Sequence, residues 1–183
     1  MNFFKKRRNA FIIAVLAVVL SLTFGSARSA DAEAQKVLDK FSSGNGSILS
    51  QLQTRRNCAM NMYTIAQLYS GTDLESAAMD LQSARNDLSI LLESGAGASR
   101  LYVSNESLQT AAVKYYEILS ERNDISRSDL SDLDSDYSTF LNAQRVIGES
   151  DYNQYVREFN NNVLDFFPLN LIKSMITTPE LFI

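Results

Sequence analysis

The sequence predicts an all-α fold, an up-down-up-down bundle of long helices preceded by an N-terminal membrane anchor. Three observations carry this. Glycine and proline are scarce, 7 and 2 in 183 residues, and these are the two residues that most oppose a helix. From residue 31 onward, apolar side chains recur at steps of three and four, which lays them along one side of a helix. Ahead of them, the uncharged apolar run Ala10–Phe24 follows a basic flank of Lys5, Lys6, Arg7 and Arg8.

A cationic flank followed by an apolar core is an export signal, and it leaves the N-terminus in the cytoplasm. The run has 15 residues, or 18 with Gly25, Ser26 and Ala27, against roughly 20 for a comfortable span. Gly25-Ser26-Ala27 also offers a small-x-small cleavage site. Two outcomes are open: a single-pass membrane protein with its bundle outside, or a protein secreted after cleavage near Ala27. The only cysteine is Cys58, so a lipoprotein signal and an intrachain disulfide are both excluded. The expected organisation is an anchor over 1–27, a helical bundle over 31–168 and an apolar tail over 169–183.

The first long helix is expected from Asp31 to about Ser70. Ala34, Val37, Leu38 and Phe41, then Ile48, Leu49, Leu52, Ala59, Met62, Ile65 and Leu68, line one face. Gly44-Asn45-Gly46 interrupts the middle, but the apolar spacing resumes on the same face, which predicts passage without a reversal. Gly71-Thr72-Asp73 is a turn with capping residues. A second helix runs from about Leu74 to Glu93. The small-residue stretch Ser94–Ser99 is a loop, and a third helix covers about Asn105 to Arg122. The fourth follows the turn Asn123–Ser126, holds Asp129 in its first turn and stops at Pro168, about 40 residues in all, with Leu130, Leu133, Tyr137, Phe140, Ile147, Tyr152, Val156 and Phe159 on its stripe. The tail Leu169–Ile183 either meets the membrane surface, where Lys173 can snorkel, or folds back on the bundle.

Charge narrows the partners. The first 30 residues carry five basic groups and no acid, leaving 12 basic and 21 acidic side chains beyond them. An acidic body argues against nucleic acid as a partner. Histidine is absent, which removes the commonest general base and the commonest metal ligand. No convergent acid/base set can be assembled, so the chain reads as non-catalytic, with no cofactor and no metal. The acidic run Asp129, Asp132, Asp134 and Asp136 lacks the glycine and the closing glutamate of a calcium loop and reads as a solvated helix face. Arg55, Arg56 and Arg145 either pair with carboxylates such as Glu75, Asp80 or Asp87, or mark an anionic-ligand site. Cys58 reads as a small half-buried apolar residue. The tyrosines read as core edges with their hydroxyls in water.

The wording Tyr152-Asn153, Val156, Phe159-Asn160, Phe167-Pro168 and Asn170-Leu171-Ile172 resembles the C-terminal signature of the LemA family. Gln51 to Arg56 with Asn61-Met62 is similar to the family's first-helix motif, and Ala84-Arg85 to its Ala-Arg pair. The family's aspartate and Leu-Ile-Pro are replaced here by Asn57, Cys58, Ala59 and Met60. The resemblance spans roughly residues 30–172. It implies a retained anchor, an extracytoplasmic helical bundle and structural roles for Arg55, Arg56, Ala84, Arg85, Tyr152, Asn153, Phe159, Asn160, Phe167 and Pro168. The function expected from it is interaction or scaffolding in the cell envelope with an unidentified protein partner. The alternative is a periplasmic four-helix sensor or small-ligand-binding domain.

Overall fold

The computed structural model describes residues 2–165 and 169–183. Among them there is no strand, and the fold is an all-α bundle with an apolar N-terminal helix. Helix α1 spans Asn2–Ser42, α2 Ile48–Ala66, α3 Thr72–Glu93, α4 Ala98–Ser120, α5 Arg127–Gly148 and α6 Tyr152–Phe159. A π-helical turn, Asn160–Leu164, and two short 3-10 turns come after α6. The chain divides into two compact units, residues 1–38 with 154–179, and residues 39–153 with 180–183.

The larger unit holds the four-helix bundle. Helix α2 packs against α5 and α3, and α3 packs against α4, with short connections that force antiparallel neighbours. Leu52, Ala59 and Met62 of α2 meet a core that includes Leu81 and Leu88 of α3, Leu108 and Tyr115 of α4, and Leu133 and Phe140 of α5, all fully buried. The three-and-four spacing therefore identifies the inward faces, except at Leu68, which lies beyond the end of α2 and is exposed. Two ends are built by caps: Ser47 Oγ accepts from the Ser50 N–H at the start of α2, and Ser126 Oγ from Asp129 at the start of α5.

Helix boundaries differ from expectation in three places. The predicted first helix is broken: α1 ends at Ser42 and α2 begins at Ile48. Gly44 sits at φ +93°, and the Ser47 N–H turns back to the Gly44 carbonyl at 3.1 Å. A Cβ is strained at that φ, so Gly44→Ala is expected to cost about 1–2 kcal/mol in chemical denaturation. Gly46 has no such φ and open space around it, so Gly46→Ala is expected to be neutral or slightly stabilising. Equal effects from the two substitutions would contradict this turn.

Helix α4 starts seven residues before the expected Asn105. The reason is that α3 stops in a tight C-terminal motif. Gly95 adopts φ +63°, while the Ala96 N–H bonds the Leu91 carbonyl at 3.0 Å and the Gly95 N–H that of Leu92 at 3.4 Å, the paired closure of a Schellman end. The loop is thus only four residues, and Ala98 and Leu101 are already buried.

The predicted 40-residue fourth helix is two helices and a π-helical turn. It breaks between Gly148 and Tyr152, where Ser150 Oγ accepts from the Tyr152 N–H at 3.3 Å. It ends at Phe159 rather than at Pro168, since Asn160-Asn161-Asn162 opens the π-helical turn. Phe167 and Pro168 lie outside the described residues.

In the smaller unit, α1 runs unbroken from the apolar segment through Leu38. Ala30, Ala34, Val37, Val156, Phe159, Leu164, Leu169 and Ile176 are buried. Lys173, expected to snorkel toward lipid, pairs with Asp165 at 3.2 Å.

Candidate functional site

Two polar constructions stand out inside the bundle unit. The first centres on Arg55. Its position between Leu52 and Ala59, three residues after one and four before the other, puts it on the buried stripe of α2. Its guanidinium is fully buried, lies 4.0 Å from the centroid of the Phe140 ring and donates through Nη2 to Gln109 Oε1. Nε and Nη1 have no protein partner. Burial pulls its pKa down to about 10, opposed by the Glu106 carboxylate and Cys58. The cation therefore survives at neutral pH without a carboxylate in contact, stabilised by a ring face and one amide. On α4, Asn105 is buried and donates to Gln144 Oε1 of α5 at 3.0 Å, its own Oδ1 unpartnered.

The other arginines do not join it. Arg56 donates to Asn57 Oδ1 at 3.3 and 3.1 Å, Arg85 to Asn86 Oδ1 at 2.6 Å, and Arg145 pairs with Glu149 at 2.7 Å on the surface of α5. Pairing of Arg55 with the α3 carboxylates is not found; Asp80 pairs instead with Lys114 at 2.8 Å. Ala84, the neighbour of Arg85, is buried in the α3 face.

The acidic run does more than face solvent. Asp129 accepts from the Tyr69 hydroxyl, Asp134 from Tyr116 at 2.8 Å and Asp136 from Asn61 at 3.0 Å, which ties α5 to α2 and α4. The Tyr69 bond, then Ser126, holds the Asp129 carboxyl below its usual range. Tyr116 stacks on Tyr137 with centroids 3.8 Å apart. Tyr115, expected at a core edge with a wet hydroxyl, is instead fully buried and donates to the Met62 carbonyl at 2.7 Å. Cys58 is buried, and burial, then Asp136, pushes its thiol up to about 11, so it is a poor nucleophile.

The second construction uses the adjacent pair Tyr152-Asn153. Asn153 Nδ2 donates to the Phe182 carbonyl at 3.0 Å, and its Oδ1 accepts the Phe182 N–H at 2.8 Å. Tyr152 Oη donates to the Glu180 carbonyl at 2.7 Å. Burial, then Glu180, pushes this hydroxyl up to about 12, so it remains a donor at neutral pH. The Phe182 ring is buried, with centroids 5.2 Å from Tyr102 in an edge-on arrangement and 6.0 Å from Phe41. Phe41 in turn lies 5.0 Å from Tyr152.

No family model, curated protein or solved structure matches the chain.

Of the other residues given structural roles by the resemblance, Phe159 is buried and Asn160 half-buried at the head of the π-helical turn. The expectation that the tail either meets lipid or folds back resolves for Glu180–Ile183, which lie within the bundle unit.

Proposed function

We propose that this chain is a membrane-anchored protein of the LemA type, its N-terminus cytoplasmic and its helical bundle outside, acting as a non-catalytic interaction or scaffold protein of the cell envelope. The observation that carries the reading is the apolar part of α1. Phe11 is 69% and Phe24 70% exposed, and only 6% of the best apolar window in Ile13–Ser42 is buried. A helix apolar on all sides is stable only when something apolar surrounds it, and lipid does so without a partner chain. The basic flank sets the direction of insertion. The LemA type rests on the wording of the signature residues and on the all-α bundle. The interaction role draws support from interior polar groups spent on joining helices, as with Tyr115 and Asn105. Reading the bundle as a small-anion sensor would draw on the unpartnered donors of Arg55, but Arg56 and Arg145 do not converge on it.

Topology provides the test. Ser131 is exposed on α5, and the native Cys58 is buried, so a Ser131→Cys variant presents one reactive thiol. It is expected to react with an impermeant thiol reagent in intact cells once any outer barrier is opened. Protection equal to that of a cytosolic control would overturn the proposed orientation.

A further inference from the structure

We infer that Tyr152, Asn153, Phe41 and Tyr102 form a groove for an extended peptide with a phenylalanine-like residue, and that Glu180–Ile183 is a tethered occupant of it. The side-chain amide of Asn153 makes two bonds to the backbone of one residue, N–H and C=O together. That pairing reads an extended main chain whatever its side chains, and a pocket for one side chain adds selectivity. Here the pocket is aromatic on two sides, and the ring it holds is 4% exposed. Tyr152 adds a third main-chain bond two residues earlier, at Glu180. The Glu180 carboxylate rests against Gly97 where α4 begins, and a Cβ there would collide with it. A carboxylate at a helix N-terminus is favoured by the helix dipole.

The segment behaves as a ligand in its construction. It belongs to no helix, it enters the groove by way of Thr177–Pro179, which has no regular structure, and Ile183 beyond Phe182 is 56% exposed. Its hold consists of one ring, three close hydrogen bonds and a longer one from Ser99 Oγ to the Ile183 carbonyl at 3.4 Å. Release is therefore a local opening that leaves the four-helix core intact. A tethered ligand competes at an effective concentration in the millimolar range, so the groove is closed to weak peptides and open to a partner that binds more tightly or in several copies. This gives the interaction role proposed above a surface. Its test measures the groove directly, so it fails or stands separately from the topology.

The probe is a fluorescent peptide copying residues 179–183 with both ends capped, added to the full chain in detergent or nanodiscs. Phe182→Ala is expected to bind it at least about ten-fold more tightly than the wild type, because the tethered competitor loses its ring and is weakened. Adding Asn153→Ala to Phe182→Ala is expected to abolish that gain. In the wild-type chain, a fluorine label on the Phe182 ring should move from its buried to its solvent-exposed resonance as peptide is titrated, a readout that needs no destabilising variant. Peptide binding by neither protein, or a fluorine signal unmoved at millimolar peptide, would overturn the inference and leave the segment a fixed staple. A wild-type dimer that Phe182→Ala dissolves would overturn it in favour of segment exchange between copies.

Discussion

Phe140→Ala is expected to lower the stability of the bundle by about 3–5 kcal/mol, read as a fall in denaturation midpoint. Phe140 is fully buried on α5, and three things depend on its ring. It fills core volume beside Leu133 and Ala143. It extends the stacked pair Tyr116–Tyr137, lying 6.4 Å from Tyr137 at 12°. It also presents its face to the Arg55 guanidinium at 4.0 Å. Alanine removes all three and leaves a void next to a cation already short of partners. The contributions can be separated. Phe140→Leu keeps most of the volume and removes the π face, so it is expected to retain the packing part and lose up to about 2 kcal/mol of cation–π attraction. A Phe140→Ala cost below about 1.5 kcal/mol would mean that helices or water close the void, and that the ring is not a keystone of the core.

Whatever is local in this fold is legible in the sequence. Burial repeats every three to four residues, so the spacing alone assigns Leu81, Leu88, Leu108 and Phe140 inward. Boundaries are obscured where the same periodicity runs across a break. The apolar face resumes after Gly44-Asn45-Gly46 and again after Gly148, yet Ser47 caps a new helix, and Ser150 accepts the first N–H of the next. Weighting Ser47 as a cap over an unbroken stripe locates the first of these turns. Arg55 is legible in the same way: it occupies a stripe position between Leu52 and Ala59, and its buried state follows from that register. The Asn153–Phe182 pairing is not legible. It joins residues 29 apart through a side-chain amide and a backbone, which leaves no trace in hydrophobic spacing. The aromatic pocket draws on Phe41 and Tyr102, which are farther still in sequence.

Arg55→Met is expected to raise stability by about 1–3 kcal/mol at neutral pH, against the usual direction for a change inside a core. The guanidinium is fully buried, its Nε and Nη1 donors are unpartnered, and among the described residues no carboxylate pairs with it. Each buried donor without a partner costs about 1–3 kcal/mol, and the desolvated charge adds to that. Methionine has a similar reach, packs on the Phe140 ring through sulfur and carries no donor. The loss is the bond to Gln109, which is half-buried and can turn its amide to water. Arg55→Lys is expected to destabilise, because a compact, strongly hydrated ammonium cannot spread over the ring as a planar guanidinium does. The pH dependence gives a second check. The folded pKa of Arg55 is about 10, well below the ordinary guanidinium value, so above pH 10 the folded state gives up this proton before the unfolded state does. The cost of burying the charge is then relieved as pH rises above about 10, and the advantage of methionine should shrink as it does. Comparing variant with wild type at each pH removes the opposing effect of Tyr152, whose raised pKa weakens both proteins equally above pH 10. A methionine variant less stable by more than about 1 kcal/mol would mean that the two donors are satisfied in solution. Arg55 would then hold an ordered water or a small anion within the bundle.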